Sequence, residues 1–221
     1  MNPSNLFKRC VRRAAATLFN GFARVVTGVR PIWLGASPSS SGQRIYFANH
    51  ASHGDFILLS ACLPPEERER TRAVAAADYW GKSWLRRLIA EDMLRSVLVE
   101  RNMAERTGDP LAGMVSVLDA GHSLILFPEG TRNTAPERGL LPFRSGLYNL
   151  AMRRPDVELV PCFIENMSRV LPKGEFLPVP LLCRVVFGTP LRPEAGEERR
   201  AFLDRAQGAL AALDPRKEIA A

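Results

Sequence analysis

Residues 49–56 read NHASHGDF and stand between two apolar runs, IYFA before them and FILL from Phe56 onward. The first run has the length and composition of a buried strand, and the second suits the start of a buried helix. Polar residues gathered at a strand-to-helix turn are where α/β proteins commonly place their chemistry. The stretch therefore predicts an α/β fold with a functional site at this turn.

His50 and Asp55 are spaced so that they can interact across the turn. If the strand ends near His50 and Ser52 caps the helix, Asp55 falls in the first helical turn. Its carboxylate can then bend back to one imidazole nitrogen and leave the other nitrogen free to accept a proton. A pKa of about 6.5 suits imidazole to proton exchange at neutral pH. No built-in nucleophile accompanies the pair, so we expect the hydroxyl of a substrate to take that role.

Three other interpretations of the turn remain open. Ser52 and Asp55 have capping-box spacing, so Asp55 could serve only the helix end. His50 could be an ordinary satisfied side chain, and His53, in the first helical turn, is expected to be structural. A zinc site built from His50, His53 and Asp55 is the third possibility, although this spacing matches no familiar metal motif.

Length and composition limit the class of protein. The 221 residues suit one α/β domain with an appendage, and 46% hydrophobic residues are ample for a core. The four cysteines are widely scattered without CxxC spacing, and Cys162 and Cys183 stand in apolar runs, as small buried side chains would. This pattern gives no sign of a disulfide framework and favours a reducing cytoplasm.

The net charge of +7 belongs to the N-terminal arm. Seven basic residues and no acidic residue precede Asp55, and the remaining 23 basic and 23 acidic residues cancel. Apolar side chains recur there at three- and four-residue intervals with basic residues on the opposite side, which predicts an amphipathic helix over residues 6–29. The stripe consists of Phe7, Cys10, Val11, Ala14, Leu18, Phe22, Val25 and Val29. A helix of this kind is suited to an anionic membrane surface.

The composition of the N-terminal arm also suits other roles. The stripe could pack on the protein's own core, and an Arg-rich, acid-free N terminus also resembles an organellar transit peptide. A membrane-spanning helix is not expected, because no apolar run approaches about 18 residues. No nucleic-acid recognition motif accompanies the basic charge. We therefore predict a membrane-associating arm at residues 1–30, an α/β domain at residues 31–221 and no nucleic-acid partner.

The rest of the chain alternates predicted strands and helices. Strands are expected at residues 31–34, 45–48, 73–76, 96–99, 124–127, 159–164 and 182–187. Helices are expected at residues 56–63, 80–93, 111–120, 143–153 and 194–213, with an exposed charged turn after Pro64 and Pro65. This alternation predicts a mixed, mostly parallel sheet covered by helices on both faces.

Two further strand ends carry arginine. Arg101 follows one predicted strand, and Arg132 closes the turn PEGTR, residues 128–132, after another. Ligands bind where strand ends gather at one edge of such a sheet, so these loops are expected to converge with the His50 turn. The two arginines could clamp a phosphate group, while Glu129 could orient an arginine or hold a substrate hydroxyl.

Five blocks of the chain resemble, in order and spacing, the motifs of the glycerolipid acyltransferases, which are best represented by the 1-acylglycerol-3-phosphate acyltransferases. The blocks are NHASHGD (49–55), VLVER (97–101), FPEGTR (127–132), LPFRSG (141–146) and LVPC (159–162). The first resembles the family's His-x₄-Asp motif. Two departures stand out: Arg144 and Ser145 replace a Lys-rich form, and the N-terminal arm is amphipathic rather than clearly membrane-spanning.

The resemblance implies an O-acyltransferase that uses acyl-CoA or acyl carrier protein as donor and a lysophospholipid as acceptor. The expected acceptor is 1-acyl-sn-glycerol 3-phosphate, the product is phosphatidic acid, and no metal ion or organic cofactor is expected. The implied catalytic residues are His50 and Asp55, and the implied substrate-binding residues are Arg101, Glu129, Gly130, Thr131 and Arg132. Because a soluble thioester must meet a membrane lipid, the enzyme is expected to be peripheral on the cytoplasmic face of the cell membrane.

Other functions remain as alternatives. A serine hydrolase is not favoured, because no GxSxG motif is present and Ser52 lies too close in sequence to His50 for the usual triad. Another lysolipid could be the acceptor. A non-catalytic lipid-binding protein would suit the N-terminal helix but would leave the His50, Asp55 and Arg132 motifs without a function.

Overall fold

Seven strands form one sheet within the part of the chain that the structure describes. This structure, a computed structural model, describes residues 17–18, 20–40, 42–52, 54–76, 96–99, 109, 111–166 and 182–217. The strands are β1 (Arg30–Trp33), β2 (Arg44–Ala48), β3 (Thr71–Ala76), β4 (Val97–Val99), β5 (Ser123–Leu126), β6 (Glu158–Glu165) and β7 (Arg184–Phe187). They lie side by side in the order β1-β7-β6-β2-β5-β3-β4.

The central strand β2 pairs in parallel with β5 on one side and with β6 on the other. Phe47 lies opposite Leu126 of β5 and Pro161 of β6. Among the described strand pairs, β6 with β7 is antiparallel and the others are parallel. The predicted mixed, mostly parallel sheet is confirmed. Because β2, β5 and β6 run in the same direction, the loops that follow them meet at one edge.

Helices cover both faces of this sheet, as predicted. They are α1 (residues 20–27), α2 (Asp55–Cys62), α3 (Pro65–Arg70), α4 (Ala112–Asp119), α5 (Gly146–Arg153) and α6 (Arg199–Ala211). Helix α5 begins three residues later than predicted, because the backbone N–H of Arg144 bonds to the carbonyl of Pro128 instead of entering a helix. The helix predicted over residues 80–93 lies outside the described residues.

The side chains on the two faces of β2 pack into two separate hydrophobic cores. Tyr46 points toward one face, where it packs in a cluster with Leu58 and Leu59 of α2. Phe47 points toward the other, where it packs in a cluster with Leu150 of α5 and Phe202 of α6. Successive side chains of a strand alternate between faces, so a strand covered on both sides is apolar throughout. This explains the unbroken apolar run that precedes the His50 turn.

The prediction of an exposed charged turn after Pro64 is wrong. The segment PEERER forms helix α3, with Pro65 in its first turn and Glu67 buried. Proline suits the first helical position, and the acidic start and basic end complement the helix dipole. Glu67 accepts a hydrogen bond from the hydroxyl of Tyr46 at 3.2 Å and pairs with Arg70. These tertiary contacts stabilise a helix in a charged segment that has no apolar periodicity, which is why the sequence did not predict it.

The cysteines of the described part are buried and free, at Cys62, Cys162 and Cys183. The burial expected for Cys162 and Cys183 is confirmed. Burial raises the pKa of Cys62 to about 12 and is the largest cause that raises the pKa of Cys183 to about 11. Their thiolate forms are therefore scarce near neutral pH, and these cysteines serve as small apolar side chains.

The N-terminal arm is described from residue 17 onward. Residues 17–18 and 20–27 are helical, and residues 1–16 lie outside the described ranges. Of the predicted apolar stripe, Leu18, Phe22 and Val25 are exposed by 74%, 64% and 84%. In the described part of the chain, no helix has both the length and the apolar content needed to cross a membrane. The membrane role of the arm and the domain boundary at residue 30 stay predictions.

Candidate active site

One carboxylate oxygen of Asp55 organises the turn between β2 and α2. Oδ2 lies 2.8 Å from Nδ1 of His50 and accepts the backbone N–H groups of Ala51 and Ser52 at 2.7 and 2.8 Å. Asp55 is the first residue of α2 and is 1% exposed. A carboxylate oxygen only accepts hydrogen bonds, so Nδ1 carries the ring proton and Nε2 is left as an acceptor. The predicted pairing of His50 with Asp55 is therefore present.

The prediction that Ser52 caps the helix is wrong. Gly54 is the N-cap, and no side chain caps the helix end. The hydroxyl of Ser52 accepts instead from the backbone N–H of Gly54 at 3.3 Å. The bond from the Ser52 N–H to Asp55 is nevertheless one half of a capping box. The structural and chemical interpretations of Asp55 thus hold together, because the same oxygen shapes the turn and orients His50.

His50 is fixed on several sides. Its ring stacks on Phe127 with centroids 4.4 Å apart. Its backbone N–H donates to Oε1 of Glu129 at 2.9 Å, and its carbonyl accepts from the backbone N–H of Asn133 at 2.6 Å. The side chain is 17% exposed, and no hydrogen bond joins Nε2 to a described group. Nε2 is therefore available to accept a proton, as a general base requires.

Asn49 ties the same turn to the neighbouring strand β6. Its Nδ2 donates to the carbonyl of Ile164 at 3.0 Å, and its Oδ1 accepts the N–H of Ile164 at 2.7 Å. The side-chain amide therefore continues the ladder between β2 and β6 past the end of β2. Sequence reasoning missed this role, because it depends on which strand lies beside β2.

The carboxylate of Glu129 contacts backbone N–H groups and forms no hydrogen bond with a described arginine, while its predicted contact with a substrate hydroxyl stays a prediction. Its Oε1 accepts from His50 and its Oε2 accepts the backbone N–H of Leu141 at 3.0 Å. The residue is buried. Burial raises the pKa of Glu129, and its two hydrogen bonds from backbone N–H groups oppose that rise. The geometry favours a positioning role, in which Glu129 joins the His50 turn to the loop that carries Arg132.

Gly130 is favoured at its position by its backbone conformation, and its lack of a side chain leaves room for Arg144. Its φ of 67° lies in the left-handed region that favours glycine. A Cβ atom built there would lie 2.6 Å from both Cδ and Nε of Arg144. The Nε of Arg144 donates to the carbonyl of Glu129 at 3.3 Å, and Arg144 is exposed. The structure therefore places a second arginine beside the PEGTR turn, and the LPFRSG block was its one signal in the sequence.

The remaining predicted site residues differ in what the structure describes. Arg132 is half-buried and Thr131 is exposed, two and one residues beyond Gly130. Within the described residues, no ion pair is formed by Arg132 or Arg144. Arg101 and His53 lie outside the described residues. In the part of the chain that the structure describes, no three histidine, cysteine or acidic side chains come together as a metal site would require.

Comparison with known proteins places this site in a family. The model of the family described as Acyltransferase matches residues 34–165, which include both the His50 turn and the PEGTR turn. The chain belongs to this Acyltransferase family. The resemblance inferred from the five sequence blocks is confirmed. The matched region also contains Arg144, so the arginine beside Gly130 lies within the acyltransferase part of the chain.

Relatives within the acyltransferase family carry one shared name. The 1-acyl-sn-glycerol-3-phosphate acyltransferases of Salmonella typhimurium and Escherichia coli are 27% and 28% identical to this chain over 136 and 132 residues. These matches cover 60% and 58% of this chain, but 51% and 49% of the relatives. The protein of that name from Cocos nucifera is 25% identical over 77% of this chain and 53% of its own length. The chain thus spans about half the length of these relatives.

A solved acyltransferase structure shares the fold. The crystal structure of the 1-acyl-sn-glycerophosphate acyltransferase from Thermotoga maritima superposes with a TM-score of 0.71 at 19% identity. The superposition covers 98% of this chain and 84% of that one. The α/β architecture described above is therefore that of a known acyltransferase structure.

Proposed function

We propose that the protein is an O-acyltransferase. It moves a fatty acyl group from an acyl thioester to the free hydroxyl of 1-acyl-sn-glycerol 3-phosphate, and the product is phosphatidic acid. The observation that carries this proposal is the His50–Asp55 pair, whose Nε2 has no described partner and whose turn is joined through Glu129 to the loop of Arg132. The acceptor is the one in the names of the relatives from Salmonella typhimurium, Escherichia coli and Cocos nucifera.

The transfer needs one proton to move twice. Nε2 of His50 takes the proton of the acceptor hydroxyl, while the carboxylate of Asp55 holds the ring and stabilises its positive charge. The acceptor oxygen attacks the thioester carbonyl carbon, and the carbon–sulfur bond breaks as the ester forms. The departing thiolate receives the proton from His50 and leaves as a thiol. The reaction balances without an acyl-enzyme, a metal ion or an organic cofactor, and acyl-CoA and acyl carrier protein both supply the required thioester.

The acceptor is recognised through its phosphate group. Arg132 follows Gly130 by two residues and Arg144 packs against Gly130, and neither arginine has a carboxylate partner among the described residues. Guanidinium groups match the geometry of phosphate oxygens. Arg101, predicted from the sequence, is proposed as a further contact. Holding the phosphate would orient the hydroxyl toward His50, which converts binding energy into rate.

The acceptor reaches the site from a membrane surface. Leu182 packs over Gly28 at the end of α1, so its exposed side chain lies next to the helix that exposes Phe22 and Val25. The exposed side chains of Leu182, Phe22 and Val25 thus form one apolar surface at α1. We infer peripheral attachment to an anionic membrane on its cytoplasmic face, where soluble thioesters and lipid acceptors meet.

Acceptor-dependent thiol release tests the proposal. Purified protein would be incubated with palmitoyl- or oleoyl-CoA, with and without 1-acyl-sn-glycerol 3-phosphate, and with acylated carrier protein as a second donor. The proposal expects free thiol and phosphatidic acid in equal amounts, and only when the acceptor is present. Thiol release at the same rate with and without the acceptor would indicate a thioesterase. No turnover with either donor across a panel of lysolipids would favour a lipid-binding protein.

A further inference from the structure

Arg24 of α1 and Arg68 of α3 meet at the C-terminal end of α2. Nε of Arg24 donates to the carbonyl of Ala61 at 2.7 Å, and Nη2 of Arg68 donates to the same oxygen at 3.3 Å. Arg68 also donates to the carbonyls of Ser60 and Leu63, at 2.9 and 2.7 Å. The shared acceptor holds two guanidinium groups close together although their charges repel each other.

The two arginines line a cavity of about 450 Å³ between α1, β1 and the α2–α3 turn. No aspartate or glutamate is among its described lining residues, and within the described ranges neither arginine forms an ion pair. The chain before Asp55 contains no acidic residue, so the N-terminal arm supplies no counter-charge. The C-terminal end of a helix carries only about half a negative charge. The cavity therefore keeps an excess of positive charge.

Several donors of the pair remain available. Arg24 bonds to described groups through Nε alone, and Arg68 through Nε and Nη2. Both Nη groups of Arg24 and Nη1 of Arg68 are left to bind a ligand. Burial and the nearby Arg24 lower the pKa of Arg68, so an anion between the two groups would relieve a repulsion that is already present. Guanidinium forks of this kind suit the oxygens of a phosphate group.

The cavity is separate from the acceptor site. Arg24 and Arg68 lie at the last residues of α2, whereas Asp55 is its first residue, so a whole helix of eight residues stands between them. Arg24 belongs to the same helix that exposes Phe22 and Val25. We propose that this cavity binds the phosphate group of an anionic membrane lipid that is not the substrate. The bound phosphate would link α1 to α3 while the apolar stripe enters the membrane.

The site goes beyond acyl transfer but rests on the membrane contact proposed above. It predicts that attachment depends on lipids that carry a net negative charge and a phosphate group, and not on apolar contact alone. A binding measurement tests it without turnover, so its result is independent of whether the proposed acceptor is correct.

Vesicle sedimentation with the full chain provides the test. Vesicles of phosphatidylcholine, with and without phosphatidylglycerol, would be titrated with the wild type and three double variants. Arg24→Gln/Arg68→Gln removes both charges, and Arg24→Lys/Arg68→Lys keeps the charges but loses the guanidinium forks. Arg199→Gln/Arg200→Gln removes two exposed charges on α6 as a matched control. Melting temperatures with and without inorganic phosphate would show whether each variant folds and whether free phosphate binds.

The expected result is a loss of at least tenfold in affinity for phosphatidylglycerol vesicles in both Arg24/Arg68 variants, with the control close to wild type. Full binding by the lysine pair would reduce the site to general charge attraction and overturn the proposal. Stabilisation by inorganic phosphate without any effect on vesicle binding would assign the cavity to free phosphate. If the variants change neither vesicle binding nor stabilisation by inorganic phosphate, the two arginines only cap the C-terminal end of α2, and the proposal is also overturned.

Discussion

Oδ2 of Asp55 lies 2.8 Å from Nδ1 of His50, and the same oxygen accepts two backbone N–H groups of the turn between them. The other oxygen, Oδ1, is buried and has no hydrogen-bond partner among the described residues. The fold of the turn and the orientation of His50 thus depend on the same atom, Oδ2 of Asp55. A change at Asp55 should therefore disturb the fold of the turn and the orientation of the base together, whereas a change at His50 leaves the two backbone hydrogen bonds of the turn in place.

Replacing Asp55 with Asn should reduce both turnover and stability. The amide can keep one oxygen at the Oδ2 position, but its NH₂ group then occupies the buried Oδ1 position without a partner. We expect kcat to fall by about 10³- to 10⁴-fold, because the charge that stabilises the imidazolium is lost. The free energy of unfolding should fall by about 1–3 kcal/mol. Steady-state kinetics and denaturant titration measure the two effects, and Glu198→Gln, an exposed carboxylate-to-amide change at the start of α6, is the control. An Asp55→Asn protein with normal kcat would contradict the assigned role.

Replacing Glu129 with Gln should reduce kcat more than it changes KM. One amide oxygen cannot accept both the His50 and Leu141 N–H groups, so the base shifts relative to the acceptor. A displacement of about 1 Å can cost about 10²-fold in rate. If KM rises and kcat stays constant, Glu129 contacts substrate instead and the positioning role is wrong.

The same variant should change the pH dependence of stability. Burial raises the pKa of Glu129 above its ordinary value of 4.5, so the folded protein binds the proton more tightly than the unfolded chain. The contribution of Glu129 is therefore fully present below pH 4.5 and is lost as the pH rises through the raised pKa. The unfolding free energy of the wild type relative to Glu129→Gln should fall across that interval. A constant difference would contradict the raised pKa.

Gly130→Ala should be more damaging than Gly121→Ala. Both glycines have positive φ, 67° and 83°, but a Cβ at Gly121 would meet nothing within 4 Å, whereas at Gly130 it would strike Arg144. Strain from the backbone alone should cost each protein about 1–2 kcal/mol. Only Gly130→Ala should also raise KM for the acceptor, because Arg144 must move. Equal kinetic behaviour of the two variants would show that the contact with Arg144 does not matter for acceptor binding.

Arg132→Gln and Arg144→Gln should weaken binding of the acceptor phosphate. We expect KM for 1-acyl-sn-glycerol 3-phosphate to rise by about tenfold or more for each, since a charge-assisted hydrogen bond is worth about 1.5–3 kcal/mol. KM for monoacylglycerol, which lacks the phosphate, should stay the same, and Arg200→Gln on α6 serves as the control. If both acceptors lose affinity equally, the arginines support the loop instead of binding phosphate.

The sequence predicted those parts of the site that depend on local spacing. His50 and Asp55 are five residues apart at a strand-to-helix turn, so their contact follows from local geometry once the strand and helix are placed. The convergence of the His50 and PEGTR loops followed from the rule that parallel strand ends share an edge. The adjacency of β2 and β5 then brings Glu129 to the backbone of His50.

Other features depend on contacts between distant segments. Asn49 bonds to Ile164, which is more than one hundred residues away in the sequence. Arg144 lies against Gly130 because the chain returns to the PEGTR turn after leaving it. Helix α3 has no apolar periodicity and is held by the buried contact of Glu67 with Tyr46. Such contacts depend on which strands lie side by side, and the local patterns of a single sequence do not reveal that order.

The measurement that tests the central claim most directly compares His50→Ala with the wild type. Acceptor-dependent thiol release from palmitoyl-CoA, or from acylated carrier protein if that is the active donor, would be followed for both proteins, with melting temperatures recorded alongside. We predict that His50→Ala still unfolds in one cooperative transition, at a lower melting temperature because the stacking on Phe127 and the bond to Asp55 are lost, and that it loses at least about 10³-fold in kcat, as expected when a general base is removed. Acceptor-dependent turnover that survives in a folded His50→Ala protein would contradict the claim that His50 is the base.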